Sequence, residues 1–237
     1  MGRNDSTLSA STPVNANWIN VAIPGGLRAL MADGLWLRTY VAWTARDGPR
    51  TEMLIRLVAI ADGRPVDFWI NGARIIACDI AEWRLASADG DRMPGEVRRR
   101  IVEEQAQLAL KHLTAAAAIH PRTAAIRVEM GNIHLYRRRD LAQAAACYRL
   151  GAECPDAPFF AARIYAEILR RLGRDREAYA WLCSVYPGLP ADDERAMRDV
   201  VLGRMLELEK RLDLPVQERY TQTVDSNEPA CFQRSID

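Results

Sequence analysis

A repeat of about 34 residues is the feature that most limits what this chain can fold into. Three segments share a small residue at one position, and these residues are Ala109, Ala144 and Ala178, spaced 35 and 34 residues apart. Four residues after each small residue comes a large one, in turn Leu113, Tyr148 and Leu182. A proline closes each segment, at Pro121, Pro155 and Pro190. Three positions that share one period predict a structural unit that recurs along the chain.

The recurring unit is predicted to be two helices joined by a tight turn. Helical periodicity runs through FFAARIYAEILRRL, stops at Gly173-Arg174-Asp175 and resumes in REAYAWLCSVY. Gly173 is expected to adopt the left-handed conformation that ends a helix, and Asp175 to accept backbone N–H bonds at the start of the next one. The preceding unit has the same plan, with Asp140 as the predicted cap of its second helix.

This pattern resembles the tetratricopeptide repeat, in which a first helix with the pattern W-x2-L-G-x2-Y is followed by a small residue, a large residue four positions later and a closing proline. The first helices match the family at Met130-Gly131 in one unit and at Tyr165-Ala166 in the next. The block GGLRALMADGLWLRTYVAW also looks like the front of uncharacterised bacterial tetratricopeptide proteins. The resemblance covers roughly residues 34–190 and implies an all-α fold, a right-handed superhelical array of antiparallel helix hairpins, or α-solenoid.

The spacing of the prolines also predicts the domain organisation. The repeat domain is expected to span residues 18–213, between a flexible N-terminal tail at 1–17 and a loose C-terminal tail at 214–237. Pro65 and Pro121 are 22 residues further apart than one period allows, which predicts an insertion near residues 84–98. The charged segment 192–212 is expected to form a helix that caps the stack.

The charge and the cysteines narrow the class of partner and the compartment. The chain has 32 Lys and Arg against 31 Asp and Glu, so no global positive field attracts DNA or an anionic membrane. The five cysteines form an odd set without C-x-x-C spacing, which favours buried thiols in a reducing compartment over disulfides or a metal site. No segment has the roughly 18 consecutive apolar residues of a membrane span. A cytoplasmic protein without metal or cofactor is predicted, either free or peripheral to a membrane complex.

The tetratricopeptide resemblance also suggests where a ligand binds. In such arrays the first helices line a concave groove that holds a peptide, so exposed first-helix side chains would recognise it. Aromatic anchors and arginines suit that task, because a guanidinium can pair a carboxylate through two hydrogen bonds. Asn132 is at the position where peptide-binding relatives often keep an Asn for the ligand backbone. The predicted groove residues are Trp69, Ile76, Asn132, Tyr136, Phe160, Arg163, Glu167, Arg170 and Arg171.

The sequence therefore predicts an adaptor or scaffold that binds a segment of another protein. It is predicted not to be an enzyme. It contains none of the common phosphate-binding, zinc-protease or serine-hydrolase motifs. RNA binding is the first alternative, since arginine runs occur at residues 98–100 and 137–139 and Tyr136 lies beside the second run. An enzyme on a helical scaffold, with residues 89–100 as a lid, is a second alternative. Whether the chain forms a homodimer stays open.

Overall fold

The computed structural model describes residues 25–87 and 93–220. Every regular element in these two ranges is helical, so the predicted all-α class is confirmed for the described part of the chain. The predicted tail 1–17, the part of the predicted tail 214–237 beyond residue 220, Cys231 and residues 88–92 of the predicted insertion lie outside the described residues.

The chain divides after Gly63 into two compact units, whereas the sequence predicts one continuous array. The first unit contains the hairpin of helices α1 (Gly25–Thr44) and α2 (Gly48–Ala61). The Asp47 side chain accepts a hydrogen bond from the backbone N–H of Arg50 at 3.1 Å and caps α2. Apolar residues of α2 are buried along one face at helical spacing, namely Leu54, Ile55, Val58 and Ala61.

The described residues of the second unit, from Arg64 onward, form further hairpins followed by one more α-helix. Its first hairpin contains α3 (Val66–Arg74), a π-helical segment (Ile75–Ile80), α4 (Ala81–Ser87) and the long α5 (Gly95–Ile119). Its second hairpin contains α6 (Ala124–Asn132), a second π-helical segment (Ile133–Arg138) and α7 (Leu141–Ala152). Its third hairpin contains α8 (Phe159–Arg171) and α9 (Asp175–Val185), and α10 (Arg198–Arg211) follows.

Successive hairpins of the second unit pack against one another in chain order. Helix α5 packs on the first helix of its own hairpin and on that of the next, α7 packs on α6 and α8, and α9 packs on α8 and α10. The recurring small residues lie at these contacts, and Ala109, Ala144 and Ala178 are all fully buried. The large residues four positions later are buried as well. A hairpin alone cannot bury both of its faces, so each hairpin depends on its neighbours for a core.

Two glycines allow the helices of the second hairpin to approach closely. A Cβ atom on Gly131 of α6 would lie 2.7 Å from Cδ2 of Tyr148 on α7. A Cβ atom on Gly151 of α7 would lie 3.1 Å from a methyl carbon of Val128 on α6. The absence of side chains at these two positions therefore lets the ring of Tyr148 and the side chain of Val128 fill the space between the helices.

The turns follow the sequence predictions with one exception. Gly173 has φ 74°, and the Asp140 carboxylate accepts from the backbone N–H of Gln143 at 3.0 Å, so both predictions are confirmed. Arg139 takes the equivalent left-handed position in the second hairpin, with φ 56°. The prediction that Asp175 caps α9 is wrong. Asp175 is the first residue of α9, and its carboxylate pairs with Arg211 of α10 at 2.9 Å.

The described parts of the predicted insertion are helical except for residues 93 and 94. Residues 84–87 belong to α4 and residues 95–98 to α5, so the additional length extends both helices of the first hairpin. The predicted capping helix at 192–212 corresponds to α10 together with a short 3-10 turn at Glu194–Ala196. Helix α10 packs on α9 at the end of the series of hairpins.

Candidate binding cleft

A cleft of about 360 Å³ opens between the first helices of successive hairpins in the second unit. Helix α3 supplies one wall, α6 supplies the floor, and the segment that leads into α8 supplies the opposite wall. The lining residues are Ile70, Arg74, Ala125, Val128, Glu129, Asn132, Asp156, Pro158 and Phe160. This volume lies in the range of small-ligand pockets, and the mixture of apolar walls with a few polar groups is typical of a binding site.

A chain of hydrogen bonds runs from the surface of the cleft into the core. The exposed Arg74 guanidinium donates to Oε2 of the buried Glu129 at 2.8 Å. The Asn132 amide donates to the same oxygen at 3.1 Å, and its Oδ1 accepts from the hydroxyl of the fully buried Tyr148. The hydrogen bond to Glu129 raises the pKa of Arg74, and burial raises the pKa of Tyr148.

This network fixes the direction in which Asn132 points. Its side-chain nitrogen carries two hydrogens, and the contact with Glu129 uses one of them. Its carbonyl oxygen is held by Tyr148, so the amide is oriented by both neighbours. Asn132 lines the cleft, and its second N–H takes no part in the contact with Glu129.

The apolar part of the cleft comes from three segments of the chain. Ile70 and Val128 lie on α3 and α6, and Pro158 and Phe160 lie at the start of α8. The Asp156 carboxylate accepts from the backbone N–H of Ala124 at 2.8 Å. This contact fixes the α7–α8 connection against the first residue of α6, and so it holds that wall against the floor of the cleft.

Of the predicted groove residues, Asn132 and Phe160 line the cleft. Phe160 is 42% exposed. Tyr136 lies outside the cleft, on the second π-helical segment, and is 68% exposed. The prediction that Trp69 and Ile76 present exposed side chains is wrong, since they are 5% and 2% exposed. The Trp69 ring packs on the His112 ring of α5 with centroids 4.7 Å apart, so α3 turns this face toward the core.

The predicted arginines of α8 contact other parts of the protein. Arg163 donates from Nη1 to the backbone carbonyls of Arg195 and Ala196, at 3.2 and 3.0 Å, and so fastens the 3-10 turn to α8. Burial lowers the pKa of Arg163. Arg170 bridges Glu167 at 2.7 Å and Glu207 of α10 at 3.3 Å. These side chains connect α8 to the segments that follow it.

The remaining members of this ion-pair cluster lie on α8 and α10. Arg171 pairs with Glu167 at 3.4 Å, and Arg204 of α10 pairs with Glu207 at 2.7 Å. Arg204 also lies 3.8 Å from Glu167. Glu167 and Arg170 therefore contact α10, Arg171 pairs within α8, and none of the three is among the residues that line the cleft.

The arginine runs elsewhere in the second unit also have acidic partners. Arg137 pairs with Glu82 at 3.3 Å and Arg138 with Glu103 at 2.8 Å, which joins the second hairpin to the first. The bond from Arg138 lowers the pKa of Glu103. Arg100 pairs with Glu104 one turn away on α5 at 2.9 Å.

Ile70, Arg74 and Glu129 line the cleft and are not among the predicted groove residues. Ile70 directly follows the predicted Trp69 in the sequence. Ile70 and Arg74 are four residues apart and therefore share a face of α3. The sequence does contain a signal for which side of α3 faces the core. It is a stripe of apolar residues at helical spacing, and all of them are buried: Trp69, Ala73, Ile76, Ala77 and Ile80. Glu129 pairs with Arg74 across 55 residues, a contact for which the sequence gives no signal.

The sequence matches no model of a known protein family and no curated protein. Within residues 25–87 and 93–220, no helix combines the length and the apolar character that crossing a membrane requires. Across the same ranges, no three His, Cys, Asp or Glu side chains are grouped in a way that could hold a metal ion.

Proposed function

We propose that the second unit is a tetratricopeptide-like α-solenoid. Three observations support the assignment: the period of 34 to 35 residues, the burial of the recurring small and large residues, and the packing of each second helix on the next first helix. The left-handed residues Arg139 and Gly173 at equivalent turns add to it, because repeated units reuse one turn geometry.

We further propose that the protein is a non-enzymatic adaptor that binds an extended segment of another protein in the cleft. The observation that carries this proposal is the oriented Asn132 amide beside apolar walls. Its second N–H suits a backbone carbonyl of an extended peptide, while Phe160 and Ile70 offer contacts for an apolar side chain. Arg74, paired with Glu129 at the rim, keeps part of its guanidinium exposed as a hydrogen-bond donor for a polar neighbour of that side chain.

The charge distribution favours a peptide over RNA. RNA-binding surfaces need Lys and Arg that neutralise phosphates. In the second unit Arg137, Arg138 and Arg170 are paired with glutamates, and this pairing reduces the positive charge that they offer. Binding in the cleft also fits the role of Glu129, whose carboxylate serves as an acceptor for Arg74 and Asn132.

Obstructing the cleft with a large side chain provides the direct test of peptide binding. Peptides would be selected from a phage-displayed library on the full chain, and their affinity for wild type and variants measured by titration calorimetry. Ala125 is exposed and lines the cleft, so Ala125→Trp should obstruct it and weaken binding at least about tenfold. Ala142 is exposed on α7 and does not line the cleft, so Ala142→Trp is the matched control and should bind like wild type.

Two results would contradict this function. Equal loss of affinity in both Trp variants would show that the substitution acts through the fold rather than through the cleft. Unchanged affinity in Ala125→Trp would place the peptide on another surface. Loss of binding with a steep salt dependence, together with competition by RNA, would support the nucleic-acid alternative instead.

A further inference from the structure

A short strap, residues 214–220, follows α10 and turns back against α9 and α10. Within the described residues no second α-helix follows α10, although each of the three hairpins before it has one. The strap begins at the buried Leu214 and ends at the half-buried Tyr220, which packs against the core of the second unit. Its Glu218 lies 3.9 Å from Arg176 at the start of α9. The strap therefore covers part of the contact between α9 and α10.

A buried carboxylate on α10 holds the backbone of the strap. The Tyr220 backbone N–H donates to Oε1 of Glu209 at 3.0 Å and to the Tyr179 hydroxyl at 2.7 Å. The Tyr179 hydroxyl donates to the same oxygen of Glu209 at 2.8 Å. Burial, and next this hydrogen bond, raise the pKa of Tyr179, so its hydroxyl keeps the proton that it donates.

The chemistry of this pair favours a particular kind of occupant. Glu209 and Tyr179 are both buried, and a carboxylate only accepts hydrogen bonds. Removing a donor from a buried acceptor is costly, because water does not fully replace it. The pair therefore favours a segment that brings a backbone N–H to this point.

An aromatic ring accompanies the backbone contact. The Tyr220 ring meets the ring of Tyr186, the residue after α9, edge to face, with centroids 5.4 Å apart and planes at 78°. The Arg198 guanidinium lies 4.6 Å from the centroid of the buried Tyr186 ring. Edge-to-face contacts of this kind favour an aromatic side chain over an aliphatic one. Two features of residue 220 are thus recognised, its N–H and its ring.

The middle of the strap is held weakly. Residues 215–217 are exposed, and Val216 is 74% exposed. The pair of Arg176 and Glu218 joins two solvent-accessible side chains, and such pairs contribute little. Leu214 is fastened to α10 by a backbone hydrogen bond to Glu209 at 3.0 Å. A segment with so few buried apolar side chains can open locally while the helices beneath it stay folded.

We propose that Tyr179, Tyr186 and Glu209 form a second segment-binding site, the end site, which the strap occupies in cis. Its ligand in trans is a segment of another protein that offers the backbone N–H and the ring of an aromatic residue, as Tyr220 does. The strap is then an autoinhibitory contact, because such a segment binds only when Tyr220 is released. None of the three residues lines the cleft, so the end site does not depend on the function proposed for the cleft.

Hydrogen exchange followed by NMR on the full chain tests whether the strap opens. After correction for intrinsic rates, the Tyr220 amide should exchange at least about a hundredfold faster than the amides of Tyr179 and Leu182 within α9. Equal protection of all three amides would overturn the proposal, since the strap would then open only when α9 unfolds.

A peptide with the sequence of residues 214–220, with an N-terminal fluorophore and a C-terminal amide, is the probe for the end site. In fluorescence anisotropy it should bind Tyr220→Ala at least about tenfold more tightly than wild type, in which the strap competes. Val216→Ala is the matched control, because Val216 is an exposed residue of the same strap, and it should bind the probe like wild type. Both variants should keep the helical circular dichroism of wild type.

Two changes separate the end site from other binding surfaces. Methylating the backbone nitrogen of the tyrosine in the probe removes its N–H and should weaken binding to Tyr220→Ala at least about tenfold. Adding Ala125→Trp, which obstructs the cleft, should leave binding of the probe to Tyr220→Ala unchanged. A failure of the cleft and a failure of the end site are therefore distinguishable.

Three binding results would overturn the proposal. The first is a folded Tyr220→Ala variant that binds the probe no better than wild type. The second is equal affinity for the probe and its methylated form, which would show that the N–H is not recognised. The third is loss of probe binding through Ala125→Trp, which would place the probe in the cleft.

Discussion

Replacing Gly131 by alanine should destabilise the second unit, although alanine is normally the better helix residue. The new Cβ would lie 2.7 and 2.8 Å from two ring carbons of Tyr148, where ordinary carbon contacts are about 3.5–4.0 Å. The ring cannot move away easily, because Tyr148 is fully buried and its hydroxyl is hydrogen-bonded to Asn132.

The magnitude follows from two opposing effects. Overpacking a filled core costs about 1–3 kcal/mol, and the restrained ring places this site in the upper part of that range. Replacing glycine by alanine inside a helix returns about 0.8–1.0 kcal/mol. The net loss of unfolding free energy should therefore be about 1–2 kcal/mol, which lowers the melting temperature by roughly 2–8 °C for a domain of this size.

Gly203 provides the matched control for this prediction. It lies inside α10, and a Cβ atom there would meet nothing within 4 Å, so Gly203→Ala should gain about 0.8–1.0 kcal/mol. Urea unfolding followed by circular dichroism measures both variants, and they should differ by about 2–3 kcal/mol. The reasoning is refuted if Gly131→Ala is as stabilising as Gly203→Ala, because α6 and α7 then do not approach as described.

Three further predictions concern the turns, the repeat and the pH dependence. Arg139→Gly should stabilise the protein by roughly 0.5–1 kcal/mol and Gly173→Ala should destabilise it by at least as much, because both positions have positive φ; equal signs in thermal melts would contradict this. Ala178→Trp should cost roughly 1–3 kcal/mol or more, and wild-type stability of this variant would count against the alignment of the repeats. Burial, and next the charge of Arg138, lower the pKa of His134, so below its ordinary value of about 6.5 the unfolded chain binds a proton that the folded chain resists. Wild type should then lose more stability than His134→Gln between about pH 7 and pH 5, and parallel pH profiles would show that His134 does not contribute.

The sequence predicted those parts of the fold that depend on local pattern. The recurring small and large residues are buried, and the turn at Gly173 and the cap at Asp140 are present. Each of these features depends on residue size or backbone chemistry within a few positions. Asp175 shows the limit, because a contact with Arg211 on another helix, 36 residues away, determines its role.

The cleft was only partly predictable, for two physical reasons. The buried face of α3 includes Trp69 and Ile76, and the neighbouring helix α5 covers it, so aromatic character did not indicate exposure. Arg163 and Arg170 of α8 have carbonyl and glutamate partners on later segments, which only the tertiary structure brings close. Asn132 was predicted because its helical position resembles that of peptide-binding repeats, and the structure adds the network with Glu129 that orients it.

Site-specific photo-crosslinking tests the central proposal most directly. A photoreactive phenylalanine analogue would be placed at residue 125 in the cleft and, in a second protein, at residue 142 on α7. Each protein would be irradiated with a library-selected peptide, and the attachment site would be mapped by mass spectrometry. An adaptor that uses the cleft should crosslink the peptide from residue 125 and not from residue 142. Crosslinking from residue 142 alone, or equally from both positions, would contradict peptide binding in the cleft.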